Sequence, residues 1–122
     1  MPENRNRKHH QDRLGKALRE EIASIVEGEL RDPRVTPANV TEVHLIPGGK
    51  TAHVLVAVHG DAAAARTVLD GLMAAKNYIR REVAARLALR QAPELMFQLD
   101  TTEQSETRID ELLHRIAKRR KA

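Results

Sequence analysis

Two runs of alternating polarity, separated by four turn-forming residues, constrain this chain more than any other feature. "NVTEVHLI" (39 to 46) sets Thr41, Val43 and Leu45 against Glu42, His44 and Ile46, and "TAHVLVAV" (51 to 58) places Ala52, Val54, Val56 and Val58 on one face. Successive side chains of an extended chain point to opposite faces, and "PGGK" between the runs supplies the residues that a tight reversal needs. A hairpin with an apolar face follows, and something has to cover that face.

Helical periodicity on either side supplies the cover. Leu14, Leu18, Ile22, Ile25 and Val26 recur at helical spacing, with Asp12 a candidate cap and Asp32 before Pro33 a stop near Arg31. Beyond the hairpin, Asp61 caps a second helix along Ala65, Val68, Leu69, Leu72 and Met73, and Ile79, Val83 and Leu87 form a further stripe that runs on until Pro93. Between the stripes lies Ala75-Lys76-Asn77. Asn77 either ends one helix in the left-handed region or caps the next with its side-chain oxygen, and both readings predict a break there. "ELMFQL" (94 to 99) reads as a third strand, and "TRIDELLHRIAK" (107 to 118), with Ile109, Leu112, Leu113 and Ile116, as a last amphipathic helix. The order helix, strand, strand, helix, helix, strand, helix predicts an α+β domain with helices on one face of a three-stranded sheet.

At 122 residues the chain fits one domain. Residues 1–11 are polar and aperiodic and read as a disordered basic arm, 12–117 as the domain and 118–122 as a basic tail. Tyr78 and Phe97 are the only aromatics, so the core must be aliphatic. The absence of Cys excludes disulfides, a thiolate nucleophile and Cys-ligated zinc, and suits a reducing compartment. With neither an apolar leader nor an apolar run of membrane-spanning length, the expected location is the cytoplasm. His9, His10, His44, His53, His59 and His114 fit no ligand spacing, and the chain has no phosphate-binding loop motif and no paired carboxylates. Neither an enzyme nor a metal or other cofactor is expected.

Charge points to a partner instead. The net charge is +4 and the pI about 9.8, and the positive residues cluster. Lys76, Arg80, Arg81, Arg86 and Arg90 share "LMAAKNYIRREVAARLALRQAPEL" (72 to 95) with Glu82 as the one acid before Pro93. On a helix Arg80 and Arg86 lie about 60° to either side of Val83, forming rims to the buried stripe. Within that helix Glu82 offers only one spaced pair, to Arg86. The surplus cations are candidates for RNA phosphates, with Arg31 and Arg34 in "RDPR" as additional contacts beside a helix stop. Tyr78 is the one candidate for base stacking. "HRIAKRRK" reads either as a helix end with favourably placed cations or as an RNA-reaching tail. The acidic first helix, with Glu20, Glu21, Glu27 and Glu29, reads as plain surface or as a protein-docking face. An alternative function follows: a protein-interaction module that docks another polypeptide through its first and last helices.

"LRDPRV" (30 to 35), "AAKNYIRR" (74 to 81) and "LALRQAPELMF" (87 to 97), in that order on those elements, resemble the bacterial ribosome-binding factor A family over roughly residues 13–116. The resemblance implies a type II KH-like fold with a kinked helix pair. It also implies a non-enzymatic assembly factor that binds 16S rRNA in the small (30S) ribosomal subunit and assists its late maturation. A monomer when free and interplay with assembly GTPases belong to the same expectation. The family's kink corresponds to Ala75, Lys76 and Asn77, with Asn in place of the usual glycine.

Overall fold

The computed structural model describes the backbone of residues 2–100 and the side chains of residues 12–100. Five elements follow in order: helix α1 (Pro2–Ser24), strands β1 (Ala38–Leu45) and β2 (Thr51–Val58), helix α2 (Ala62–Arg86) and strand β3 (Glu94–Leu99). A π-helical turn (Ile25–Glu29) finishes the first helix, closed by the Leu30 amide donating to the Ile25 carbonyl at 2.8 Å. The helix therefore begins at Pro2, ahead of the expected cap at Asp12, and its backbone passes through the stretch that composition suggested as an arm. Proline suits a first helical turn, where its missing N–H has no partner to lose. The expected last helix, the tail and the other positions beyond Asp100 lie outside the described residues.

The hairpin forms as its pattern predicts. β1 pairs antiparallel with β2, β2 pairs parallel with β3, and the sheet order is β1-β2-β3. Gly48 and Gly49 make the turn at φ of 102° and 72°, conformations that a Cβ disfavours. One irregularity escaped the alternation. A bulge between Val40 and Glu42 shifts the phase, so that Ala38 and Val40 point inward before it and Val43 and Leu45 after it. The Thr41 carbonyl there accepts from Arg19 Nε of α1 at 3.0 Å, and the Thr41 hydroxyl lies 2.7 Å from an Asp100 carboxylate oxygen.

The parallel β2–β3 pairing requires a crossover, and α2 is that crossover. Asp61 caps it, its carboxylate accepting from the Ala64 amide at 2.8 Å. Ala65, Val68, Leu72, Ile79 and Val83 of α2 meet Leu18, Ile22, Ile25 and Val26 of the first helix and its π-turn, and Val54, Val56 and Leu95 of the sheet, in one aliphatic core. The helix is continuous. The expected break at Ala75-Lys76-Asn77 is absent, and among the described residues Ala88 is the one non-glycine with positive φ. The physical reason is local and tertiary together. Ala and Lys are strong helix formers, Asn in a helix interior costs less than about 1 kcal/mol, and an unbroken helix buries Leu72, Ile79 and Val83 along one line.

Near its middle α2 crosses the "RDPR" loop closely. A Cβ added to Gly71 would lie 2.9 Å from Val35 Cγ1 and 3.0 Å from Arg34 Cβ. The loop is held in turn by Asp32, whose carboxylate accepts from the Arg34 amide at 2.9 Å and from its guanidinium at 2.7 Å.

Candidate nucleic-acid interface

Rather than reaching Pro93, α2 stops at Arg86, and the way it stops builds the site. The Leu89 amide donates to the Ala84 carbonyl at 2.8 Å and the Ala88 amide to the Ala85 carbonyl at 3.4 Å, with Ala88 at φ 53°. This is the Schellman arrangement, normally carried by glycine at the left-handed position. It folds the chain back, and Leu89 packs against the core while Arg90 and Gln91 stay exposed.

Arg80 secures the returning strand of chain. Its Nε donates to the Pro93 carbonyl and its Nη2 to the Ala92 carbonyl, both at 3.0 Å, while Nη1 lies 3.5 Å from Glu94 Oε2. Lys76 Nζ pairs with the other oxygen of Glu94 at 2.8 Å. That hydrogen bond, then the charges of Lys76 and Arg80, holds the Glu94 carboxyl below its ordinary value of 4.5.

Between the helix and the returning chain lies an open depression of about 580 Å³, lined by Asn77, Arg80, Arg81, Ala84, Arg90, Gln91 and Ala92. Among the described residues three arginines line it and no carboxylate does. Arg81 and Arg90 are exposed and make no ion pair among the described residues. Unlike Lys76 and Arg80, they are uncompensated cations among the described residues, the form in which guanidinium groups bind phosphate most readily.

Arg86 lies on the opposite flank of α2. It is held bidentately by Glu29, with Nη1 to Oε2 at 2.7 Å, and it also approaches Glu21 at 3.5 Å and Glu82 at 3.9 Å. The bond to Glu29 raises the pKa of Arg86 further above the usual arginine range and lowers that of Glu29. Tyr78 turns its hydroxyl to this acidic flank, donating to Glu82 at 3.3 Å. Arg34 is committed to Asp32 at 2.7 Å, and Arg31 is exposed without an ion pair among the described residues.

Of the seven expected contact residues, then, Arg80, Arg81 and Arg90 line one depression, Lys76 adjoins it through Glu94, and Arg86, Arg31 and Arg34 stand elsewhere. Spacing along the helix reveals counter-ions within it, but not Glu94, Glu29 and Glu21, which other elements supply. Asn77 was singled out as a kink residue but lines the depression. Gln91 carried no signal.

The fold is thus an α+β domain of two helices and a three-stranded sheet, with arginines lining a depression beside its crossover helix. The family model "Ribosome-binding factor A" matches residues 10–113. A ribosome-binding factor A from Koribacter versatilis (strain Ellin345) is 56% identical over 120 residues, covering 98% of both chains. The crystal structure of ribosome-binding factor A from Thermus thermophilus superposes with a TM-score of 0.58 at 28% identity, covering 75% of this chain and 92% of that one. Coordinates of the Thermus thermophilus factor fitted into the cryo-EM map of its complex with 30S align with a TM-score of 0.53 at 30% identity, covering 75% and 91%. The chain belongs to the ribosome-binding factor A family.

Proposed function

We propose that this protein binds the small (30S) ribosomal subunit by seating phosphates of folded 16S rRNA in the arginine-lined depression, and that it assists late maturation of that RNA without catalysis. The observation that carries the reading is the depression itself, lined among the described residues by three arginines and no carboxylate. The family supports it, since one member has been fitted into the map of a complex with 30S. Arg81 and Arg90 make the primary contacts. Arg80 positions the returning chain that presents Arg90, and Lys76 stands at the rim. With Tyr78 turned toward Glu82, stacking contributes little, and shape with phosphate spacing supplies the selectivity.

Binding of this kind assists maturation by favouring one RNA conformation over others, to the extent that the two differ in affinity for the protein. Interplay with assembly GTPases belongs to the same proposal. Co-sedimentation with purified small subunits tests it. Wild-type protein pellets with the subunits at low salt, and Arg81→Glu combined with Arg90→Glu abolishes pelleting while circular dichroism remains native. Arg86→Met, on the acidic flank, keeps it. Loss of pelleting in Arg86→Met with retention in the double reversal would place the interface on the other side of α2, as a protein-docking module requires.

A further inference from the structure

The carboxylate of Glu94 has a distinctive position: it is fixed at its root, open at its tip, and bonded to two cations beside the depression. Its backbone amide donates to the Lys50 carbonyl at 2.8 Å, and Arg80 ties down the two carbonyls before it. The side chain is nonetheless 47% exposed, with Lys76 Nζ at 2.8 Å and Arg80 Nη1 at 3.5 Å. A carboxylate in this setting offers Lys76 what an RNA phosphate would offer it: an anionic oxygen at hydrogen-bond distance.

We propose that Glu94 is a selectivity residue, an internal counter-ion that holds Lys76 until an RNA phosphate replaces it. The inference rests on the RNA-binding reading above and deepens it. Arg81 and Arg90, having no counter-ion among the described residues, accept a first phosphate without competition from them. The next phosphate toward Lys76 must displace Glu94. Arg80 keeps its two carbonyl partners when this happens, so Lys76 is the cation released. RNA that presents only one phosphate to the depression leaves Glu94 in place and binds weakly, and RNA that presents a second in register opens the pair and gains a contact.

The test is Glu94→Gln, which removes the charge and keeps the size. Equilibrium binding to a generic RNA duplex is measured across a salt series and compared with wild type and with Glu42→Gln, an equal change of charge on β1. Freeing Lys76 raises affinity about two- to fivefold at low salt, the scale of one exposed ion pair. Glu42→Gln gives no such increase. An unaltered affinity in Glu94→Gln, or the same increase in Glu42→Gln, overturns the proposal.

A measurement on wild-type protein stands independently of how the variant folds: the carboxyl carbon resonance of Glu94 shifts saturably as duplex is added. A resonance that stays in place at saturation also overturns it. Wild-type protein that binds as proposed, with Glu94→Gln inert, defeats this inference alone. Wild-type protein that fails to bind small subunits defeats the reading beneath it as well.

Discussion

Ala88 holds φ at 53°, where its Cβ crowds the carbonyl oxygen that follows, at a cost of about 1–2 kcal/mol that glycine would not incur. Glycine loses up to about 1 kcal/mol of that gain through its freer unfolded state. Ala88→Gly is therefore expected to stabilise the fold by about 0.5–1 kcal/mol, read as a higher urea midpoint at unchanged slope. Nothing in the sequence marks this position, because alanine is the strongest helix former, and the reading ran α2 on toward Pro93. Three carboxylates give a second prediction. Hydrogen bonds from Arg86, Arg34 and Lys76 hold Glu29, Asp32 and Glu94 below their ordinary values of 4.5, 3.8 and 4.5. Groups depressed in the folded state contribute stability that is complete above the ordinary value and lost as pH falls through the folded one. Arg86→Met removes the cause at Glu29 and leaves Glu29, Glu21 and Glu82 facing one another. Urea unfolding should find that variant less stable than wild type at neutral pH, with the difference closing below the ordinary value of Glu29. A difference that persists undiminished in acid would mean that Arg86 acts through packing.

At the scale of elements, β2 and β3 coincide with the runs read from the alternation, and the Asp61 cap falls where it was expected. Period-two patterning next to glycines and proline leaves an extended chain few alternatives. The bulge at Thr41 and the π-turn at Ile25–Glu29 were not legible, since each inserts a backbone irregularity whose compensation comes from another element, as Arg19 does for the Thr41 carbonyl. Nor was the continuity of α2, where asparagine fits both a break and a helix interior. Asn77→Ala discriminates the two. In an unbroken helix it stabilises by roughly 0.5 kcal/mol, whereas at a left-handed residue it would destabilise by about 1 kcal/mol or more. Gly71 is a matter of packing, because its missing Cβ leaves room for the buried Val35. Gly71→Val should cost about 1–3 kcal/mol in thermal or urea unfolding, with the loop carrying Arg34 displaced.

Over the whole molecule, α2 divides two flanks of opposite character. Glu21, Glu29 and Glu82 surround Arg86 on one, and Arg80, Arg81 and Arg90 line the depression on the other. The sequence disclosed the surplus of positive charge and the helix that carries it. It could not disclose how the fold apportions that charge, because the partners of Lys76 and Arg86 sit on β3 and on the first helix with its π-turn, far away in the chain. What survives that apportioning, among the described residues, is a pair of arginines without counter-ions beside a tethered third. The measurement that bears on them most directly is the affinity of wild-type protein for purified small subunits across a salt series, set against the Arg81→Glu, Arg90→Glu double variant. A phosphate-seating depression predicts a straight log–log plot with a slope of about −2 or steeper for wild type, and a flatter slope with weaker binding for the variant. Two parallel lines of equal affinity would contradict it.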